Sequence, residues 1–266
     1  MYEFSYNKAA NLEAAVAALK EDEDAILMAG GQTLIPTLKQ RLAAPSAIHD
    51  ISRIEALRGI TCDGGVVRIG AMMRHAEVAG SDIVHANIPG LAELAGNIGD
   101  PHVRHRGTIG GSVANNDPAA DYPGACLALS ATIHTDRREI LAEAFFVGLF
   151  ETALFEGEIV TAISFPVPLR MAYAKFPNPA SRYALVGVCA ALTSEGPRVA
   201  VTGCGQEGVF RWNEAEAVLE NFDPDALEGL EPDANSLSAD MHAQSDYRAH
   251  LAAVMARRAV TAANRR

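Results

Sequence analysis

Apolar residues Leu12, Ala15, Val16 and Leu19 recur at helical spacing behind Asn11, a good N-cap residue, so the chain opens on an amphipathic helix. Two short apolar runs, Ile26–Met28 and Ile48–Ile51, read as buried strands. Between them Gly30-Gly31 leads into a helical pattern, with Thr33 as N-cap and Pro36 tolerated in the first turn. This predicts a small β-α-β unit ending near Leu57. Ile60–Cys62 and Val66–Gly70 flank Asp63-Gly-Gly65, a hairpin signal. Helical spacing returns over Pro89–Ile98, with Leu91, Leu94 and Ala95 on one face, and Asp100-Pro101 stops it. A helix is expected over Pro123–Leu129, strands over Ala131–Thr135 and Glu139–Leu141, and a short helix within Ala142–Leu149. Further strands are expected over Glu158–Pro166 and Arg170–Phe176, after which Pro177 and Pro179 mark a boundary. Beyond it, Tyr183–Thr193 and Arg198–Gly203 form a hairpin over Ser194-Glu-Gly-Pro197, and Asn213 caps a helix to Leu219. A surface loop covers Asp223–Ala234, and Ser245 caps a long helix that turns Leu251, Val254 and Met255 inward. The pattern is α+β in three pieces, 1–57, 58–177 and 178–266, with no repeat and no low-complexity tract.

Within this pattern one stretch stands apart. Thr108-Ile-Gly-Gly-Ser-Val-Ala-Asn-Asn-Asp-Pro-Ala-Ala-Asp121 crowds small and polar residues, and it reads as a loop with a helix starting just after it. Gly110 and Gly111 lack Cβ atoms, so their backbone is free to take φ > 0 and approach a ligand, leaving amides to meet a phosphate. Ala29-Gly-Gly-Gln-Thr-Leu34 repeats the idea after an apolar strand. Two anion-friendly turns suit a diphosphate. Neither is GxGxxG and there is no GxxxxGK[ST], so an ordinary dinucleotide fold or P-loop is not supported. Taken singly, each turn serves folding as readily as binding.

The chain resembles the FAD-binding middle subunits of the molybdenum hydroxylases, the family of aerobic carbon monoxide dehydrogenase and xanthine dehydrogenase. The likeness runs through Phe4-Ser-Tyr-Asn-Lys-Ala-Ala-Asn-Leu-Glu-Ala-Ala15, the Ala29–Pro36 turn, Val103-Arg-His-Arg-Gly-Thr-Ile-Gly-Gly111, Glu158–Pro166, Tyr173-Ala-Lys-Phe176 and Asp246-Tyr-Arg-Ala-His-Leu251. It implies a two-subdomain FAD-binding fold of the vanillyl-alcohol-oxidase or PCMH type, followed by a smaller α+β C-terminal domain. It also implies noncovalent FAD, held by Ala29, Gly30, Gly31, Gln32, Thr33 and Leu34 on one side. On the other side it implies Thr108, Ile109, Gly110, Gly111, Ser112, Asn115, Asp117 and Asp121, with Val160 and Lys175 completing the set. Asp121 would meet ribityl or ribose hydroxyls, and Lys175 would stand at the flavin as a cation favouring the reduced anion. Where relatives often carry asparagine this chain has Ser112, one bond shorter. The implied partners are a 2Fe-2S small subunit and a molybdopterin large subunit, as a dimer of heterotrimers in the cytoplasm.

Composition narrows the alternatives. The chain has 266 residues, 49% of them hydrophobic and 21% charged, as in a globular protein. A formal charge of −11 argues against nucleic acid or an anionic membrane surface as the main partner. No run approaches the roughly 20 apolar residues of a membrane span, and Met1-Tyr-Glu-Phe4 is not the basic start of a signal peptide. Cys62, Cys126, Cys189 and Cys204 are scattered without CxxC, so they read as ordinary buried thiols, not as a disulfide, zinc or iron-sulfur framework. Trp212 reads as core or subunit contact. His102, Arg104, His105 and Arg106 form a basic knot that either meets phosphate or an acidic partner, or is a solvated loop. No hydrolase motif of the HExxH or GxSxG kind occurs. The expected function is electron relay through FAD. The rivals are a self-contained flavin reductase or oxidase, which would need its own substrate site, and a non-enzymatic flavin-binding module.

Overall fold

A computed structural model of the chain describes residues 1–265. Its first piece is β1 (Ser5–Lys8), α1 (Leu12–Glu21), β2 (Ile26–Met28), α2 (Leu34–Lys39) and β3 (Ala47–Asp50). The strands are parallel in the order β1-β3-β2, each joined to the next through a helix, as parallel pairing requires. Asn11 caps α1 as expected, its Oδ1 accepting the Ala14 amide at 2.8 Å. The sequence pattern did not announce β1, because Ser5-Tyr-Asn-Lys8 is polar and exposed on both faces. It is an edge strand held by its backbone.

The second piece starts with β4 (Ile60–Asp63) and β5 (Val66–Gly70) and continues through a run of helices: α3 (His75–Ala79), α4 (Asp82–Asn87), α5 (Pro89–Gly96), α6 (Pro101–Arg104), α7 (Ile109–Asn115) and α8 (Tyr122–Ala128). Then come β6 (Thr132–Thr135), β7 (Glu139–Leu141), α9 (Ala142–Phe145), a small hairpin of β8 (Phe146–Gly148) and β9 (Glu151–Thr152), and β10 (Val160–Pro166). An antiparallel sheet in the order β4-β5-β10-β6-β7 packs Val67, Ile69, Ile133, Ile163 and Phe165 against Leu91, Leu94, Ile109, Val113 and Tyr122 of the helices. The helices α3, α4 and α6 have four to six residues, too few for a hydrophobic period to show. Asp100-Pro101, expected only to stop a helix, also starts α6: Asp100 Oδ1 accepts the Val103 amide at 2.9 Å.

The third piece is an antiparallel sheet of β11 (Arg170–Pro177), β12 (Ala184–Thr193), β13 (Gly196–Thr202) and β14 (Phe210–Arg211), with α10 (Asn213–Val218) and α11 (Ser245–Ala263). Its core joins Val186, Val188, Val199 and Val201 to Trp212, Phe222, Leu251 and Met255. Strand β11 belongs to this sheet, so the change of sheet falls between β10 and β11 and not after Pro177. The caps of the last two helices move back one residue, to Trp212 and Gln244, and neither forms a side-chain cap bond. The expected surface loop after Asp223 holds a short 3-10 turn whose Leu227 is buried. Among the cysteines Cys62 is exposed, and only the other three are buried.

The segment from Thr108, expected as a loop, opens directly into α7. Thr108 is itself an N-cap, its Oγ1 accepting the Gly111 amide at 3.2 Å, and Gly110-Gly111 lie in the first turn of α7. Neither glycine is among the residues with positive φ. Gly110 serves packing instead: its amide donates to Ala71 O at 2.9 Å, and a Cβ there would lie 2.4 Å from the Ala71 Cβ. We expect Gly110→Ala to force α7 away from the end of β5 at a cost of about 3 kcal/mol, the upper end for overpacking. A loss below about 1 kcal/mol in urea unfolding would contradict this close approach.

Candidate functional site

The three pieces meet around a cleft of about 690 Å³, within the range of small-molecule and cofactor sites. Ala29, Gly30, Gly31, Gln32, Thr33 and Leu34 line one side. Thr108, Gly110, Gly111, Ser112, Asn115, Asp117 and Asp121 line the other, with Val160 at one end. Two residues of the expected set lie elsewhere. Ile109 is fully buried in the second core, and Lys175 stands behind the wall, paired to Asp121.

The two glycine turns differ in what they offer. At the first, Gly31 has φ of +72°, the left-handed region that favours glycine. Gly30 is held by closeness: a Cβ there would sit 2.2 Å from Arg106 O. Among the described residues the amides of Gly30, Gly31, Gln32 and Thr33 have no hydrogen-bond partner, nor do the Gln32 and Thr33 side chains. Four successive unpartnered amides on a cleft wall make an anion nest. Thr33 precedes α2 but caps nothing with its side chain. The second turn, expected to bring free amides, has them engaged: Gly110 N on Ala71 O and Gly111 N on Thr108 Oγ1. It offers a close wall, since a Cβ on Gly111 would lie 2.9 Å from Thr108 Oγ1 and 3.7 Å from the Ala29 Cβ.

Past α7 the chain turns through Asp117–Asp121, and the third sheet clamps that turn. Thr202 Oγ1 donates to Ala120 O at 2.7 Å and lies 3.0 Å from Pro118 O, while Gly203 N donates to Pro118 O at 2.8 Å. Asp121 is buried, and its Oδ1 accepts the Tyr173 hydroxyl and the Lys175 ammonium, the latter at 3.0 Å. Lys175 Nζ also donates to Asn97 O at 2.8 Å. Burial pushes the Asp121 carboxyl up, opposed by Lys175 and the Tyr173 hydroxyl. Gly187 makes room for this group, as a Cβ there would come within 2.2 Å of the Tyr173 hydroxyl. Tyr173, Thr202 and Gly187 were missed as site-supporting residues. Tyr173 stood in the Tyr173-Ala-Lys-Phe176 motif without a role, and no local signal marks Gly187 and Thr202, which lie on β12 and β13 and join this group only through tertiary pairing.

Two other lining residues had no signal. His75 is buried with Nδ1 unpartnered, and burial, helped by Arg104, lowers its pKa to about 4. Tyr183 sits at the rim beside Arg182, a non-glycine residue with φ of +62°. The basic knot divides. Arg104 turns inward and donates to Ile98 O at 2.9 Å and Gly99 O at 3.0 Å, closing the loop after α5. His102, His105 and Arg106 stay exposed.

At the Val160 end, Glu158 lines the cleft and anchors the loop before β10. Arg138 grips both carboxylate oxygens at 3.0 Å, with Thr135 Oγ1 at 2.7 Å and the Phe155 amide at 2.8 Å. The Arg138 bonds, with the Phe155 and Thr135 donors, hold the carboxyl down at about 2 against desolvation. A depressed carboxylate pKa stabilises the fold above the ordinary value of 4.5, and that stability is lost as pH falls from there towards 2. Arg138 is partly open to solvent, which trims the effect. Glu158→Gln should therefore lose about 2 kcal/mol at pH 7 and flatten the fall in stability between pH 4.5 and 2. An unchanged acid limb in denaturant titrations of the variant would contradict this.

The chain matches the family described as the FAD binding domain in molybdopterin dehydrogenase over residues 2–168. It is 36% identical to the carbon monoxide dehydrogenase medium chain of Afipia carboxidovorans over 280 residues, 99% of this chain and 97% of that one. It is 33% identical to the nicotine 6-hydroxylase medium subunit of Paenarthrobacter nicotinovorans over 275 residues, covering 98% and 97%. Among solved structures, reconstituted CO dehydrogenase from Oligotropha carboxidovorans superposes with a TM-score of 0.91 at 33% identity, over 99% of this chain and 98% of that chain.

Proposed function

The chain belongs to the family of FAD-binding domains of molybdopterin dehydrogenases, and on that premise we propose that it is the flavin relay of a multi-subunit hydroxylase. The observation that carries this reading is the run of unpartnered amides at Gly30, Gly31, Gln32 and Thr33 on the wall of a cleft of cofactor size. These amides would take the pyrophosphate of a noncovalent FAD. Thr108, Ser112, Asn115 and Asp117 would line its path, Val160 would bound one end, and Ala29, Leu34, Gly110 and Gly111 would supply close walls. Ile109 supports from the core. Asp121 would receive sugar or ribityl hydroxyls, its carboxylate held in place from behind by Tyr173 and Lys175. The Lys175 ammonium, paired to Asp121, would offset that carboxylate's charge, so that the wall does not repel a reduced anionic flavin.

When bound, FAD supplies one- and two-electron transfer. The chain's own contribution is to bind and orient the cofactor and to exclude water from it. Substrate oxidation then falls to other subunits, a 2Fe-2S small chain and a molybdopterin large chain in a dimer of heterotrimers, working in the cytoplasm. Among the described residues no group of three or more His, Cys, Asp or Glu could hold a metal ion, and no helix is long and apolar enough to cross a membrane.

Purified alone, the full chain should carry FAD that acid precipitation releases completely, with no iron or molybdenum. Carbon monoxide, purines, N-heterocycles and aldehydes should leave its flavin oxidised until the partner subunits are added. Flavin left on the acid pellet would contradict noncovalent binding. Substrate-driven flavin bleaching by the metal-free chain would contradict the relay and favour a self-contained flavoenzyme.

A further inference from the structure

Next to the cofactor cleft, sharing Ala29, Gly30, Met72 and Thr108 with it, lies a second cleft of about 420 Å³ that the relay function leaves unused. Four cations from four separate segments line it: Lys8 at the end of β1, Arg53 after β3, Arg74 before α3 and Arg106 before α7. All four are exposed, and among the described residues none makes an ion pair or donates a side-chain hydrogen bond. In a chain of net charge −11, four cations gathered around one carboxylate need an explanation. The one carboxylate in the cleft, Asp50, is already engaged by the Tyr6 hydroxyl at 2.5 Å and the Ser52 amide at 2.8 Å. Four cations against this single anion leave the cleft strongly positive.

The geometry points to a binding site for a nucleoside di- or triphosphate, separate from the flavin site. Three of the four cations are arginines, whose planar forks suit phosphate oxygens. Tyr6, tethered through its hydroxyl to Asp50, presents a half-exposed ring on which a base can stack. The volume lies in the range of a small-molecule site. The basic run before α7 thereby divides its labour, Arg104 closing a loop and Arg106 facing this cleft. Because the Ala29-Gly30 turn and Thr108 line both clefts, an occupant here is a neighbour of the flavin site.

The test is calorimetric titration of ATP, ADP and inorganic tripolyphosphate into the full chain with FAD added to saturation, so that the larger cleft is not available. Saturable one-to-one binding of ATP is expected, weakened at least tenfold in Arg53→Ala/Arg106→Ala and kept in Arg257→Ala/Arg258→Ala, which removes the same charge elsewhere. Tyr6→Ala should weaken ATP several-fold and leave tripolyphosphate unchanged. Absence of saturable binding, or equal binding by both double variants, would overturn the site. Equal affinity for ATP and tripolyphosphate would overturn the nucleoside assignment, and tighter binding of an aspartate-rich peptide than of ATP would show a protein docking surface in its place.

Discussion

Gly30 lies against the Arg106–Gly107 peptide so closely that a single added carbon would sit 2.2 Å from Arg106 O, and the arrangement of the site depends on that contact. It brings the turn after β2, from the first piece, against the loop that delivers α7, from the second. A side chain at position 30 would hold the two apart. Gly107 in turn fits against the His75 ring, where a Cβ would lie 2.5 Å from Nε2, and its carbonyl accepts the His75 amide at 3.0 Å. With Gly110 seated on Ala71, three glycines set the spacing of the cleft walls by packing. Their role is the absence of a Cβ, not an unusual φ.

Much of this was legible in the sequence. The paired glycines at 30–31 and 110–111, the small and polar run to Asp121, and the hairpin around Gly64 were visible because each is local. The length and order of the family motifs pointed to the cofactor. What the sequence did not reveal was which turn keeps its amides free. Gly30–Thr33 leaves them open, whereas at the start of α7 the Gly110 amide goes to Ala71 O and the Gly111 amide to Thr108 Oγ1. Reading φ > 0 at Gly110 and Gly111 mistook a steric demand for a conformational one. The polar edge strand β1 and the one-turn helices lacked any period to detect.

The third sheet was read as a separate domain, yet it finishes the site. A lysine in a strand is normally exposed, yet the Lys175 side chain, expected at the flavin, is buried with its charge shared between Asp121 and Asn97 O. A buried cation of this kind is stable only when paired. Asp121 in turn avoids being an isolated buried charge because β11 supplies both donors. Thr202 ties down the preceding carbonyls from β13. The family match ends at residue 168, just before the strand that supplies the buried Lys175–Asp121 ion pair. The flavin-binding piece and the C-terminal sheet are joined by chemistry as well as by chain.

The central claim is that FAD lies in this cleft with its pyrophosphate on the Gly30–Thr33 amides. A crystal structure of the flavin-loaded chain tests it most directly. The account predicts phosphate oxygens about 2.7–3.2 Å from at least two of those four amide nitrogens, with the Gly110 amide still on Ala71 O. A pyrophosphate bound at the start of α7, with the Gly30–Thr33 amides facing solvent, would contradict it.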